Sequence, residues 1–114
     1  MAQGAWETKQ YPNFFSRIGI DDETAKKRVE ECFQTIFFDP EEKFYHEVDS
    51  DSACIEDTGN HDARTEGMSY GMMMAVQMDR KDLFDKLWLF TVTHMLQRDG
   101  KYQGYFAWSV NRDG

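Results

Sequence analysis

Residues 65–78, TEGMSYGMMMAVQM, hold a single formally charged side chain, Glu66, within a run rich in Gly, Met, Ala and Val. The pattern predicts a helix over residues 66–79 that is apolar on almost every side, and such a helix is normally enclosed by protein. At about 100° per residue, one side carries Glu66, Met73, Tyr70 and Gln77, and the adjacent stripe carries Gly67, Gly71, Met74 and Met78. The two glycines of that stripe allow another backbone or a sugar to approach closely. The segment therefore predicts one wall of a pocket.

Glu66 is the candidate catalytic residue of this segment. The first turn of a helix favours an ionised carboxylate by about 0.3–1 kcal/mol, whereas desolvation raises a carboxyl pKa by up to about 3–5 units. In an enclosed site desolvation wins, and a neutral carboxylic acid can protonate a departing sugar oxygen, as a glycosidase requires. A structural interpretation is the more common one for such a pattern, because Glu after Thr65 is ordinary capping chemistry and methionine stripes usually fill cores.

Two further helices and a hairpin complete the predicted elements. Residues 22–38 carry an apolar stripe at helical spacing, and Asp39-Pro40 ends that helix because the residue before proline avoids the helical region. Residues 82–97 are predicted to be a helix whose buried stripe is Phe84, Leu87, Trp88, Thr91 and Met95. Residues 43–57 alternate apolar and polar side chains around the turn residues 49–52, which predicts a β-hairpin. Residues 98–104 have turn composition, and residues 105–110 are predicted to be extended.

The charge of the chain argues against two classes of partner. With 21 acidic against 13 Lys and Arg residues, the formal net charge is -8, so nucleic acid and anionic membrane surfaces would repel the chain. Neither a secretory signal nor a run of about 18 apolar residues is present, so we expect a soluble, cytoplasmic protein without a membrane partner.

The sequence predicts no metal site and no cofactor. Cys32 and Cys54 lack C-x-x-C spacing and are expected to be reduced thiols, and the three histidines lack H-x-x-x-H spacing. The segment that begins with Asp49 and Asp51 starts like a calcium loop, but it lacks the glycine and the closing acid that such a loop requires.

Two motifs carry a resemblance to a known family. They are DARTEGMSYGMMMAVQMDRKDLFDKLW, residues 62–88, and GYFAWSV, residues 104–110. Together they resemble glycoside hydrolase family 8, especially its reducing-end xylose-releasing exo-oligoxylanases. The likeness runs from DTGN at residues 57–60 to YFAW at residues 105–108, and is weaker in the N-terminal helix.

The resemblance implies a fold, a mechanism and a substrate class. The fold is a barrel of six α-helical hairpins, the mechanism inverts the anomeric carbon, and the substrates are β-1,4-linked xylans, glucans or chitosan. The predicted fold class is therefore all-α, the N-terminal portion of an (α/α)6 barrel with a short β-hairpin excursion. Residues 1–114 are expected to be an N-terminal fragment of the family 8 catalytic domain.

The same resemblance assigns the acid but supplies no base. In the family, the glutamate of the T/S-E-G-M-x-Y-G segment is the general acid, which corresponds to Glu66. The family's base lies further downstream, so the resemblance places it beyond Gly114. Family members are several times longer than this chain, which ends in a loop-like segment. We therefore expect these 114 residues to be inactive on their own.

Four other residues are predicted to contact the substrate. Trp108 matches an aromatic residue on which family members stack a sugar ring, and an indole face suits the apolar face of a pyranose; packing in a core is its alternative role. Tyr70, one turn from Glu66, is predicted to hydrogen-bond the substrate or to orient the carboxyl group. Asp62 and Arg64 are predicted to form a substrate-binding or supporting pair, although an exposed salt bridge explains them nearly as well.

The sequence thus predicts an inverting glycosidase that releases xylose from the reducing end of xylo-oligosaccharides. An endo-acting β-1,4-xylanase or glucanase of the same family is the first rival, because exo cleavage rests on the resemblance alone. The second rival is a non-catalytic carbohydrate-binding module that keeps the aromatic cleft. A small helical domain without a ligand is disfavoured, since the three predicted helices would leave residues 66–78 half covered.

Overall fold

The computed structural model describes residues 4–114. The described residues divide into two compact units, 4–33 and 34–114. In the first unit, α1 spans Ala5–Thr8 and α2 spans Phe14–Arg17. Helix α3, Asp22–Phe38, begins in this unit and ends in the second, which confirms the helix predicted over residues 22–38. Its start is capped by Asp21, whose carboxylate accepts the backbone N–H of Thr24 at 2.9 Å.

The second unit contains a four-stranded antiparallel sheet in the order β1-β2-β3-β4. The strands are β1 Tyr45–Glu47, β2 Ala53–Asp57, β3 Asp62–Arg64 and β4 Ser109–Asn111. Strands β1 and β2 confirm the predicted hairpin, with His46 opposite Cys54. The backbone N–H of Val48 donates to the carbonyl of Ser52 at 2.9 Å and closes the turn.

The predicted fold class, all-α with one β-hairpin, did not include strands β3 and β4, which extend the hairpin to a four-stranded sheet. Each has only three residues, which is too short for alternation to be visible in the sequence. Their pairing joins residues 62–64 to residues 109–111, and such a non-local contact leaves no local signal. The predicted extended segment 105–110 overlaps β4 only at Ser109 and Val110.

Two helices pack against this sheet. Helix α4, Thr65–Gln77, and helix α5, Lys81–Phe90, confirm the helices predicted at 66–79 and from 82. The second helix does not stay α-helical to residue 97, since Thr91–Met95 form a π-helical turn. The hydroxyl of Thr91 donates to the carbonyl of Leu87 at 2.8 Å at this transition. Of helices α1–α5, none within residues 4–114 is long and apolar enough to cross a bilayer.

The core of the second unit lies where α4 and α5 meet β2. Its largest fully buried side chains are Phe37, Phe90, Met68, Leu87, Met95 and Cys54. The buried stripe predicted over residues 82–97 was partly wrong. Leu87, Thr91 and Met95 are buried, whereas Trp88 is 46% exposed.

Helix α4 is not enclosed on every side, contrary to the prediction. Its buried face is Met68, Gly71 and Ala75, while Tyr70, Met73 and Val76 are 61–62% exposed. The apolar composition of the helix was read as complete burial, but within residues 4–114 only the face toward β2 and α5 is covered.

Candidate functional site

The junction between β3 and α4 positions Glu66. Strand β3 ends at Arg64 and α4 begins at Thr65, which places Glu66 in the first helical turn. The pairing of β3 with β4 sets Arg64 opposite Ser109, and the N–H of Thr65 donates to the carbonyl of Trp108 at 3.1 Å. The sheet therefore brings Trp108 next to Glu66, although 42 positions separate them in the sequence.

The side chains of Glu66 and Trp108 are directly hydrogen-bonded. The indole Nε1–H of Trp108 donates to both carboxylate oxygens, each at 3.1 Å. The hydroxyl of Thr65 donates to the Oε2 atom of Glu66 at 3.2 Å. Trp108 is 59% exposed, so within these 114 residues it does not pack in a core.

The pKa of Glu66 is lowered in these 114 residues. The backbone N–H of Glu66 itself and the indole of Trp108 stabilise the carboxylate and outweigh the effect of desolvation. The raised pKa predicted from the sequence applies to an enclosed site, and Glu66 is exposed in this chain. The raised pKa therefore stays a prediction for an enclosed site.

Arg64 joins this pair to a network of carboxylates. Its guanidinium contacts Asp57 at 3.1 Å and Asp62 at 3.0 Å, so the predicted pair of Asp62 and Arg64 is present. Its Cζ atom also lies 4.8 Å from the centroid of the Trp108 ring, a cation–π arrangement. The hydroxyl of Ser109 donates to Asp62 at 2.6 Å and is the main cause of that carboxyl's lowered pKa. The side chains of Arg64 and Asp62 are only 24% and 21% exposed, so this is not a fully solvated salt bridge.

Tyr70 lies on the same helix as Glu66 and is 62% exposed. Among residues 4–114, no hydrogen bond joins Tyr70 to Glu66. Contact with a substrate and orientation of the carboxyl group both stay predictions.

A cavity of ≈ 370 Å³ opens beside Glu66. Its lining residues come from β2, from the end of β3 and from the start of α4: Ile55, Glu56, Asp57, Arg64, Glu66 and Gly67. The lining combines carboxylates and a guanidinium with Ile55 and Gly67, which suits a ligand with several hydroxyls and an apolar face. A carboxylate at the mouth of such a cavity can exchange a proton with a bound hydroxyl or ether oxygen.

In the predicted small-residue stripe, Gly71 serves packing. A side chain at Gly71 would overlap Ile55 and would lie 3.2 Å from the Cδ1 atom of Leu87. At Gly67 the nearest atom to such a side chain is the Cγ2 atom of Ile55, at 3.4 Å, and Gly67 also lines the cavity. Strand β2 therefore approaches Gly71 closely, and a ligand at Gly67 stays a prediction.

The family of the chain follows from comparison with known proteins. A family model described as "Glycosyl hydrolases family 8" matches residues 33–114, which include every residue of the site. The chain belongs to glycosyl hydrolase family 8.

Several family 8 relatives are similar over nearly the whole chain. A reducing end xylose-releasing exo-oligoxylanase from Halalkalibacterium halodurans is 50% identical over 113 residues, which are 98% of this chain and 29% of the relative. The exo-oligoxylanase Rex8A from Paenibacillus barcinonensis is 45% identical over 98% of this chain and 30% of the relative. The chain thus spans about 30% of the length of these relatives.

Solved family 8 structures share the fold of the chain. Rex8A complexed with xylose superposes with a TM-score of 0.91 and 45% identity, over 98% of this chain and 30% of that one. A variant of Rex8A complexed with 3(3)-alpha-L-arabinofuranosyl-xylotetraose gives a TM-score of 0.92 and 44% identity, over 99% of this chain and 30% of that one. The arrangement of helices and sheet described above is therefore that of a family 8 protein.

Sequence reasoning missed Glu56 and Asp57 as residues of the candidate site. Both line the cavity, and Glu56 accepts hydrogen bonds from His61 at 2.7 Å and from Arg112 at 2.6 Å. The usable signal was the DTGN stretch at residues 57–60, because Asp57 accepts the backbone N–H groups of Gly59 and Asn60 and so forms the turn that leads into β3. Among the residues described here, no group of three or more His, Cys, Asp or Glu side chains is arranged to hold a metal ion.

Proposed function

We propose that this chain is the acid-bearing part of a family 8 glycosidase that releases xylose from the reducing end of xylo-oligosaccharides. The observation that carries the proposal is the hydrogen bond between Trp108 and Glu66, which itself lines a cavity, in a chain that is 50% identical to an exo-oligoxylanase. Glu66 is the general acid, and the 114 residues form the N-terminal portion of the catalytic domain and of its (α/α)6 barrel. The predicted cytoplasmic location is part of the same proposal.

The substrate class is supported by the exposed indole and by the relatives. Trp108 is 59% exposed beside the carboxylate, where a pyranose can lie against its ring. Structures of Rex8A contain xylose or an arabinofuranosyl-substituted xylotetraose. We therefore propose xylo-oligosaccharides as the ligands of this chain, with Tyr70 and the pair of Asp62 and Arg64 as further contacts.

The proposed chemistry requires Glu66 to change its protonation state. In the free chain its pKa is lowered, so the carboxylate is charged at neutral pH. A sugar on Trp108 and the remainder of a family 8 barrel would exclude water from Glu66, and desolvation favours the neutral acid. The protonated Glu66 then donates to the glycosidic oxygen, while a carboxylate about 6.5–9.5 Å away activates water for an inverting displacement. Because no aspartate of this chain matches the family's base, we place that base outside these 114 residues.

A carbohydrate-binding role without catalysis is the second candidate. The specific observation in its favour is the exposed, charged state of Glu66, which suits a hydrogen-bond acceptor for sugar hydroxyls. An endo-acting xylanase or glucanase has no comparable observation in its support.

A chimera tests the proposal directly. The segment of the Halalkalibacterium halodurans relative that aligns with this chain is replaced by residues 1–114, and xylotriose is supplied as the substrate. We expect release of xylose from the reducing end, and we expect Glu66→Gln in the chimera to reduce turnover by at least about 10²-fold, at the lower end of general-acid contributions. Asp99→Asn, in the loop that follows α5 and the π-helical turn, is the matched control and should retain full turnover.

Two outcomes would contradict the proposal. A folded chimera that binds xylotriose but never cleaves it supports the binding module. A chimera that cleaves xylotriose equally well with glutamine at position 66 removes the acid role from Glu66.

A further inference from the structure

We propose that Arg64 is a positioning residue that holds the indole of Trp108 in the orientation that reaches Glu66. Its importance for the reaction rests on the proposed function of Glu66 as the acid. The relevant geometry consists of a guanidinium fixed by two carboxylates, an aromatic ring lying against it, and the ring's single N–H group directed at a third carboxylate.

The guanidinium itself has little freedom. It contacts Asp57 from β2 and Asp62 from its own strand, at 3.1 and 3.0 Å. Ser109 on β4 in turn donates a hydrogen bond to Asp62. Arg64, Asp57, Asp62 and Ser109 thus form one network across strands β2, β3 and β4. The planar fork of arginine can serve both carboxylates and present a flat face to an aromatic ring, whereas a lysine ammonium has neither property.

The indole, by contrast, depends on its neighbours for its orientation. The backbone of Trp108 is fixed by the N–H of Thr65, but the side chain is 59% exposed, so packing alone does not select its torsion angles. The Arg64 guanidinium lies 4.8 Å from the ring centroid on one side, and the Glu66 carboxylate accepts Nε1–H at the ring edge. A cation–π contact of this exposed kind contributes about 0.5–1 kcal/mol, enough to favour one rotamer about two- to fivefold.

This arrangement couples Arg64 to the acid in two ways. Arg64 stabilises the Glu66 carboxylate by its charge, and it supports the N–H donor that occupies both oxygens. The other charged groups that line the same cavity are the carboxylates of Glu56 and Asp57, which oppose ionisation of Glu66. Both effects of Arg64 favour the charged form of Glu66 in this chain.

The test uses the 114-residue chain and two NMR signals that require no turnover. The first is the hydrogen-exchange rate of the Trp108 indole N–H, assigned by its loss in Trp108→Phe. The second is the titration of the Glu66 side-chain carboxyl carbon. Arg64→Lys keeps the charge but loses the fork and the flat face, and Arg64→Met removes the charge as well. Arg17, which lies 4.8 Å from the centroid of the Phe14 ring in the first unit, supplies the matched controls Arg17→Lys and Arg17→Met.

We expect indole exchange to accelerate about two- to fivefold in Arg64→Lys. The Glu66 pKa should move upward in both Arg64 variants, and by more in Arg64→Met. Neither Arg17 variant should change either signal. Asp62→Asn, which weakens one anchor of the guanidinium and keeps Arg64, should give a smaller change in the same direction; it also serves if Arg64→Met fails to fold.

Unchanged indole exchange in a folded Arg64→Lys chain overturns the proposal. A fall in melting temperature without a change in either signal would show that Arg64 only joins the strands. Both signals are measured without substrate, so a negative result leaves the acid role of Glu66 intact, and an inactive chimera leaves the positioning role of Arg64 intact.

Discussion

One indole N–H group of Trp108 is shared by both carboxylate oxygens of Glu66, at 3.1 Å from each. The contact depends on the pairing of β3 with β4, because the carbonyl of Trp108 accepts the N–H of the residue that precedes Glu66. In these 114 residues, the backbone N–H of Glu66 and the side chain that is proposed to bind the sugar both lower the pKa of the candidate acid.

Trp108→Phe should raise the pKa of Glu66. The change removes the N–H donor that stabilises the carboxylate and keeps an apolar ring. The pKa should stay below its ordinary value, because the backbone N–H of Glu66 is the largest cause of the lowering and persists. A pH titration of the Glu66 side chain by NMR measures the change, with Trp88→Phe on α5 as the control.

The sign of the associated stability change follows from the lowered pKa. A carboxyl group with a lower pKa in the folded than in the unfolded chain stabilises the fold at neutral pH, and this contribution is lost as the pH falls through the folded pKa. Trp108→Phe should therefore reduce the acid dependence of stability. An identical titration in the wild type and in Trp108→Phe would show that the indole does not hold Glu66 in its charged form.

Gly71→Ala should destabilise the chain, whereas Gly67→Ala should not. The added methyl at Gly71 would overlap Ile55 and press on Leu87, and overpacking of this kind costs about 1–3 kcal/mol. At Gly67 the same methyl meets Ile55 at an ordinary contact distance of 3.4 Å, and the gain in helix propensity is up to about 1 kcal/mol. Urea unfolding of the two variants measures the difference between their free energies of unfolding. Equal stabilities would mean that β2 can shift away from α4.

Glu56→Gln should lower the stability of the chain at neutral pH by about 1–3 kcal/mol, the cost of a lost charged hydrogen bond in a largely covered site. The Glu56 side chain is 13% exposed, and burial raises its pKa, but the hydrogen bonds from His61 and Arg112 prevail and lower it. The stabilisation is therefore present above the unfolded pKa of about 4.3 and is lost at lower pH.

Chemical denaturation of Glu56→Gln at pH 7 and below pH 4 tests this pH dependence. The difference from the wild type should shrink in acid. Glu47→Gln is the control, since Glu47 pairs with Lys86 at 2.9 Å while 55% exposed, and such pairs contribute less than about 1 kcal/mol. A difference from the wild type that stays constant with pH would point to lost packing instead of lost charge.

The predictable part of the fold is the part with local signals. Helix α3 could be bounded from residues 22–38 because an aspartate caps its start and Asp39-Pro40 stops it. The β1-β2 hairpin was visible for the same reason, since both strands flank one turn. The pairing of β3 with β4 joins segments more than 40 positions apart, and no pattern within either segment specifies it.

The site shows the same division. The pair of Asp62 and Arg64 could be predicted because residues two apart on a strand share a face. The contact of Arg64 with Asp57 and with the Trp108 ring required the sheet. The exposure of Tyr70, Met73 and Val76 could not be predicted, because the sequence shows the apolar character of α4 but not which of its faces is covered.

Tyr45→Phe should leave the chain at least as stable at neutral pH and more stable in alkali. The Tyr45 side chain is 4% exposed, and its hydroxyl has no hydrogen-bond partner among residues 4–114, so removing it relieves an unsatisfied polar atom. Burial, followed by the charge of Glu47, raises the pKa of Tyr45 to about 12, against about 10 in an unfolded chain. A group with a raised folded pKa stabilises the fold below the unfolded pKa and loses that contribution as the pH rises.

The wild type should therefore lose about 2 kcal/mol more stability than Tyr45→Phe between pH 10 and pH 12. Burial also raises the pKa of Cys54 to about 12, so some alkaline loss should persist in the variant. Thermal melts across this range measure the slopes, and Tyr102→Phe, at a 55% exposed tyrosine, should behave like the wild type. If Tyr45→Phe and the wild type lose stability in parallel up to pH 12, the Tyr45 hydroxyl ionises as readily in the folded chain as in the unfolded one. In that case the packing of Tyr45 against Phe37 does not keep water from the hydroxyl.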